Sequence, residues 1–168
     1  MTTRKLVILR HAKTERSEDM TDIDRPLTRR GHADAGIAGA WLSAHGYRPE
    51  LVLCSPARRT RQTWHGIAIG LHRAEAPEVR YEPAIYTGET EDVFALIRAV
   101  PDGLQTVLVV GHNPTVSTMT QELDPGAARD SDGLSTCGIA VHEVGGSWAA
   151  LTPGEAPLVA AHTARAEG

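Results

Sequence analysis

A three-layer α/β/α sandwich with a mainly parallel central sheet follows from three features of this chain. Three short, unbroken apolar runs lie far apart: Leu6-Val7-Ile8-Leu9, Leu51-Val52-Leu53-Cys54 and Val107-Leu108-Val109-Val110. Such runs mark strands covered on both faces, the usual condition of a parallel sheet. The stretches between them repeat apolar residues at helical spacing, and strands that alternate with helices pair in parallel through right-handed crossovers. Each run also ends alike, in polar or charged residues that lead into a helical pattern.

In chain order, the first strand ends in Arg10-His11, and Asp19 to Pro26 forms a polar loop. A helix is predicted from Thr28 to His45, with Ile37, Ala38, Trp41 and Leu42 inward and Gly46 as its stop. The second strand runs into Ser55-Pro56, with Arg58 and Arg59 just beyond. Ser55 suits an N-cap and Pro56 the first helical position, ahead of Thr60, Thr63, Trp64, Ile67, Ala68 and Leu71. Val93, Leu96, Ile97 and Val100 predict a shorter helix that ends before Pro101. The third strand runs into Gly111-His112-Asn113-Pro114, where Asn113 and Pro114 repeat the cap arrangement for a helix reaching Leu123. After a second polar loop, Asp124 to Gly133, Ile139–Val144 and Trp148–Leu151 predict a closing antiparallel pair across Gly145-Gly146. The Ala-rich stretch after Pro153 is weakly patterned and is expected at the periphery.

Composition bounds the function. At 168 residues the chain predicts a single domain, 1–168, with a tail from about 154. Aromatics are 4%, so small aliphatic side chains must fill the core. No apolar run approaches the roughly 20 residues of a membrane span, and the start lacks the long apolar stretch of a secretion signal. No membrane association is therefore expected. A net charge of −4 argues against nucleic acid as a partner, because that binding rests on phosphate neutralisation. The cysteines, Cys54 and Cys137, form no CxxC motif and predict buried thiols within strands, which suits a cytoplasmic protein. His11, His112 and distant carboxylates make no local metal motif, and neighbouring arginines would repel a cation. No G-x-G-x-x-G follows the first strand. No metal and no cofactor are expected.

Ligands of an open parallel sheet bind in the crevice at the carboxyl ends of its strands. The predicted strands deliver Arg10, His11, Arg58 and His112 to that edge. Two guanidinium groups there match phosphate geometry with paired charge-assisted hydrogen bonds, and two helix N-termini add backbone donors. The site therefore reads as a binder of a phosphoryl group, and either histidine could serve as its covalent acceptor. Asn113 and Thr136 are further candidates for touching the substrate, with Ser135 beside them. His32, His45, His65, His72, His142 and His162 are expected to be structural or on the surface.

These motifs, taken together, resemble the histidine phosphatase superfamily. Arg10-His11-Ala12 is similar to its Arg-His-Gly signature. The likeness continues through Arg25-Pro26-Leu27-Thr28, Gly31, Ser55-Pro56 with Arg58, Gln62-Thr63, and Val109-Val110-Gly111-His112-Asn113-Pro114, so that it spans about Lys5 to Leu151. The Arg-Pro-Leu-Thr segment and the short length resemble the SixA-type phosphohistidine phosphatase branch. The resemblance implies a phosphoglycerate-mutase-like fold, His11 as the nucleophile that becomes phosphohistidine, and Arg10, Arg58 and His112 as ligands of the phosphoryl oxygens.

Two departures matter. Ala12 stands where the family has Gly, which would be strained if the position needed positive φ. Ile85-Tyr86-Thr87 stands where ester-cleaving relatives carry a Leu-x-Glu whose carboxylate is the general acid. An alkoxide leaving group needs such a donor, worth about 10²–10⁴-fold, whereas a departing imidazole is far less basic. The expected substrate is therefore phosphohistidine on a protein. The alternatives are a small phosphate ester, such as a sugar phosphate or nucleotide, and a non-catalytic phosphate-binding module. Glu15, Glu18, Asp19, Asp22 and Asp24, in the loop after His11, are expected as solvated surface, the alternative being that one of them reaches in as general acid.

Overall fold

Leu6, Val7, Ile8 and Leu9 are fully buried in β1 (Arg4–Arg10), which lies inside a six-stranded sheet. The computed structural model describes residues 3–16, 18–72, 76–128 and 133–166. The other strands are β2 (Leu51–Cys54), β3 (Glu78–Tyr81), β4 (Thr106–Gly111), β5 (Gly138–Val144) and β6 (Leu158–Thr163). Their order is β3-β2-β4-β1-β5-β6; the first four run parallel, β5 runs against them, and β6 is antiparallel to β5 and so returns to their direction.

Side chains alternate across the pleat, so each apolar run feeds two cores. Leu6, Ile8, Leu51, Leu53, Val107 and Val109 pack on one face. Above them lie α3 (Pro83–Thr87), α4 (Thr90–Arg98) and α5 (Thr115–Leu123), through Ile85, Phe94, Ile97 and Met119. Val7, Leu9, Val52, Cys54, Leu108 and Val110 face the other way, against Ala38, Leu42, Trp64 and Ile67 of α1 (Arg29–Ala44) and α2 (Arg58–Leu71). These are the three expected layers. A short α6 (Pro125–Ala128) follows α5; the rest of the predicted second polar loop, 129–132, lies outside the described residues.

Several local expectations are corrected. The buried face of α1 is Gly31, Asp34, Ala35, Ala38, Gly39 and Leu42, while Ile37 is 40% exposed and Trp41 half-buried. The helices approach too closely for large side chains: a Cβ on Gly39 would strike the Ile67 carbonyl oxygen. Trp148–Ala150 is a 3-10 turn rather than a strand, because the Trp148 side chain is fully buried and its Nε1 donates to the Leu104 carbonyl (2.8 Å). The antiparallel partner of β5 is β6, so the tail supplies the edge strand. Cys137 precedes β5, with φ +57. Pro56 and Ala57 form a turn before α2, with Ala57 as N-cap, and Pro114 caps α5. β3 was missed because its Glu-Val-Arg-Tyr is a largely exposed edge sequence.

Register positions the site. Arg10 pairs with Gly111 across β1 and β4, and Cys54 pairs with Val110 across β2 and β4. The three strands therefore end level, and the residues that follow, His11, Ser55 and His112, emerge side by side.

Candidate active site

A cleft of about 720 Å³ opens at this edge, lined by Arg10, His11, Lys13, Thr14, Glu15, Arg16, Arg25, Thr28, Arg59, His112, Asn113 and Thr136. His11 is only 8% exposed. Its backbone N–H extends the β1–β4 ladder to the Gly111 carbonyl (3.1 Å), and its Nδ1 donates to the Ala12 carbonyl (2.8 Å). That bond fixes the neutral tautomer and leaves the Nε2 lone pair free. Burial pushes the His11 pKa down to about 4; the Ala12 carbonyl opposes this, and the charges of Arg59, Arg10 and Arg25 add to it. The ring is thus unprotonated at neutral pH, as a nucleophile requires.

His112 faces it, with ring centroids 5.4 Å apart. Its Nε2 lies 2.8 Å from Ser55 Oγ, which already accepts from the Ala57 N–H (3.2 Å). We assign the hydroxyl proton to Nε2, which lets Ser55 both accept and donate and places the imidazole's own proton on Nδ1. That Nδ1 is buried without a partner and is a donor in waiting for an oxyanion. Burial, then Arg59 and His11, lower the His112 pKa to about 3.

Arg10 donates through Nη1 to the Leu134 carbonyl (3.1 Å), while its Nε is buried without a partner. Burial lowers its pKa. The α2 arginine that lines the pocket, with Arg10, Arg16 and Arg25, is Arg59 and not Arg58. Arg58 is exposed, with only a 3.5 Å contact to the Asp24 carbonyl, whereas Arg59 is 7% exposed and lines the cleft. The reason is helical register: Thr63, Ile67 and Leu71 form the buried stripe of α2, and a spacing of four carries it back to Arg59. That signal was present in the sequence.

The loop after His11 is pinned at several points, which explains motif residues otherwise unaccounted for. The Ala12 N–H donates to Thr63 Oγ1 (3.1 Å), and Gln62 Oε1 accepts from the Leu27 N–H (2.8 Å). Thr28 caps α1 by accepting from the Gly31 N–H (2.9 Å). Gly31 itself must lack a side chain, since a Cβ there would strike the Lys13 carbonyl. Ala12 is fully buried and is not among the positive-φ positions, so its methyl group causes no backbone strain.

Asn113 and Thr136 both line the cleft. The Asn113 amide is engaged within the protein, donating to the Leu134 carbonyl (2.8 Å) and accepting from Ser117 Oγ (2.6 Å). It braces the carbonyl that holds Arg10. Ser135 is exposed and does not line the cleft. Two loop carboxylates are not merely solvated: Glu15 lines the cleft, and Asp22 reaches Arg59 (3.0 Å), Arg25 (3.2 Å) and the Tyr86 hydroxyl (2.7 Å). Sequence reasoning missed Asp22 and Tyr86 as parts of one cluster, because they are far apart in the chain. Among the described residues, no group of three His, Cys, Asp or Glu is placed to hold a metal ion.

A neutral histidine with a free ring nitrogen, in a cleft lined by arginines at the carboxyl edge of a parallel sheet, is the equipment of a phosphoryl-transfer enzyme. The model of the histidine phosphatase superfamily (branch 1) matches residues 6–85. The chain is 31% identical to phosphohistidine phosphatase SixA of Escherichia coli, over 73% of this chain and 75% of that one. It is 41% identical to the uncharacterized protein Rv1276c of Mycobacterium tuberculosis, over 94% of this chain and 100% of that one. A solved structure from Nakamurella multipartitia, provisionally named phosphohistidine phosphatase SixA, superposes with a TM-score of 0.84 at 35% identity, covering 99% of both chains. The protein belongs to the histidine phosphatase superfamily, with its phosphoglycerate-mutase-like fold, and is a phosphatase. Among the described residues, no helix is long and apolar enough to cross a membrane.

Proposed function

We propose that this phosphatase removes the phosphoryl group from phosphohistidine on a protein. In the first step His11 Nε2 attacks phosphorus, and the P–N bond to the substrate imidazole, which carries a proton on its other ring nitrogen, breaks with its electron pair so that the ring leaves as neutral imidazole. Arg10, Arg59 and the His112 Nδ1–H hold the three equatorial oxygens, where negative charge must be stabilised in the transition state. In the second step water attacks the phosphohistidine formed on His11, releasing inorganic phosphate and restoring the neutral ring.

The observation that carries the substrate choice is the chemistry at residues 85–87, where Thr87 holds the place of the carboxylic acid and the neighbouring Tyr86 bonds Asp22. Asp22 is no proton donor either: the Tyr86 hydroxyl and the arginines hold its carboxyl down at about 2, so it is ionised. A leaving imidazole tolerates this, and an alkoxide does not. The named SixA relatives support the same reading. One observation favours the small-ester alternative, namely that Glu15 lines the cleft and could protonate a leaving oxygen.

The test is turnover of a phosphohistidine-bearing protein domain against a panel of sugar phosphates and nucleotides, with wild type, His11→Ala and Glu15→Gln. We expect rapid dephosphorylation of the domain, abolished in His11→Ala and unaffected by Glu15→Gln. Preferential turnover of an ester that falls with Glu15→Gln would establish the alternative. Oxyanion binding with no turnover of any substrate would leave the non-catalytic module.

A further inference from the structure

Arg59 does not stand free in the cleft. Its Nη1 donates to the Asp22 backbone carbonyl (2.7 Å) and its Nη2 to Asp22 Oδ2 (3.0 Å), so both terminal nitrogens are engaged by one residue. The same Oδ2 accepts from the Tyr86 hydroxyl (2.7 Å), and Oδ1 accepts from Arg25 Nη1 (3.2 Å). Arg25 is in turn anchored to the Glu15 carbonyl (3.0 Å) and Thr14 Oγ1 (2.7 Å). The Tyr86 ring sits edge-on to His112 at 5.6 Å and lies 5.9 Å from the Arg59 guanidinium carbon. Asp22, on the 3-10 turn Asp22–Asp24, is thus where the loop after the nucleophile, α2 and α3 meet.

We infer that Asp22 is the positioning residue for Arg59, orienting its guanidinium toward the phosphoryl site. A guanidinium has five N–H donors. The Asp22 bonds use one on each terminal nitrogen and leave the other three for phosphoryl oxygens. A free arginine side chain loses rotamer freedom when it grips an anion, and Asp22 imposes that order beforehand. An exposed ion pair is ordinarily worth little. This one differs because Arg59 is buried and because Tyr86 and Arg25 restrain the carboxylate from two other directions.

The inference rests on the phosphoryl-binding reading of the cleft but not on which molecule brings the phosphoryl group. Its test therefore uses tungstate, a phosphate mimic, titrated calorimetrically into the full chain. We expect Asp22→Ala to weaken tungstate binding about 10–100-fold, the range seen when the partner that orients a ligating side chain is removed. Asp22→Asn keeps the shape and should give a smaller loss at unchanged Tm, which separates lost charge from lost fold. The decisive readout is coupling: in an Arg59→Ala background, Asp22→Ala should change affinity by less than about twofold. Where Arg59→Ala binds too weakly to titrate, Arg59→Lys serves, because an ammonium cannot span the Asp22 carbonyl and carboxylate as the fork does. Equal losses in the presence and absence of Arg59 would show a merely structural role and overturn the inference, as would wild-type affinity in Asp22→Ala. If wild type itself binds no tungstate, the phosphoryl reading fails, and that outcome is distinct from loss of coupling.

Discussion

The cleft has two halves that are built differently. Arg10, His11 and His112 follow β1 and β4, whose paired ends are fixed by a backbone ladder that runs on through the His11 N–H to the Gly111 carbonyl. Arg59, Arg25, Asp22 and Tyr86 come from a helix, a loop, a 3-10 turn and a short helix, and they find one another only through side-chain hydrogen bonds and ion pairs. The strand half is set by the fold, whereas the helical half is set by particular side chains. A single substitution in the helical half can therefore alter geometry, while one in the strand half removes a chemical group and leaves the frame standing.

The largest effect belongs to the strand half. His11→Ala should reduce turnover by at least about 10³-fold, as for other covalent nucleophiles, with an unchanged circular dichroism spectrum. A residual rate within tenfold of wild type would remove His11 from the reaction. In the helical half, Arg59→Ala should cost about 10²–10³-fold in kcat, the range for losing one oxyanion donor. Arg58→Ala, one position away on the exposed side of α2, should stay within about twofold, like most surface substitutions. Equal losses at the two arginines would contradict the register that places only Arg59 in the cleft.

The same division explains what the sequence disclosed. Apolar runs that terminate abruptly announced β1, β2 and β4, and so announced His11, His112 and the edge on which they meet. The layers, the start of α1 near Thr28 and its stop at Gly46 were legible for the same reason: local composition and periodicity determine them. A helix starting at Pro56 would turn Arg58 to the edge, but the Pro56-Ala57 turn starts α2 at Arg58, and Arg59 is the residue that enters the cleft. The inward face of α1 is not marked by large residues, because its contact with α2 is made largely of glycine and alanine. Asp22 and Tyr86 were beyond local pattern altogether. Their meeting depends on tertiary placement across 64 residues of chain.

The next effect in size sits between the halves. Ser55→Ala removes the hydroxyl that holds His112 Nε2 and leaves the tautomer unfixed, so kcat should fall about tenfold, the lower end for loss of an orienting partner. Ser55→Thr, which keeps a hydroxyl, should recover part of it. Acid should also tell the halves apart. The His11 pKa is depressed from 6.5 to about 4, so the unfolded chain binds its proton first; stability is full above pH 6.5 and is lost as pH falls toward 4. Asp22 is depressed from 3.8 to about 2, so its contribution is present above pH 3.8 and is lost only as pH falls through about 2. Urea midpoints measured from pH 7 to 4 should decline, and the decline should be shallower in His11→Asn, which has nothing to titrate there. Asp22→Asn should leave that slope unchanged.

The smallest effect concerns Ala12, in the strand half but one residue past the ladder. Its methyl group is fully buried among the apolar residues beneath α1 and α2, its N–H is bonded to Thr63, and its φ is not positive. Glycine would gain no backbone freedom that the native conformation needs. It would instead give up a buried methyl, worth about 0.8 kcal/mol, and release unfolded-chain entropy of about 0.4–1 kcal/mol. Ala12→Gly should therefore lower stability by about 1–2 kcal/mol and leave kcat and the tungstate affinity unchanged, because the His11 tautomer rests on the residue 12 carbonyl and not on its side chain. Denaturant unfolding and steady-state turnover on one preparation check both parts. A rise in turnover with glycine would mean that the methyl obstructs the pocket floor, and the frame of the strand half would then be less indifferent to its side chains than the backbone ladder implies.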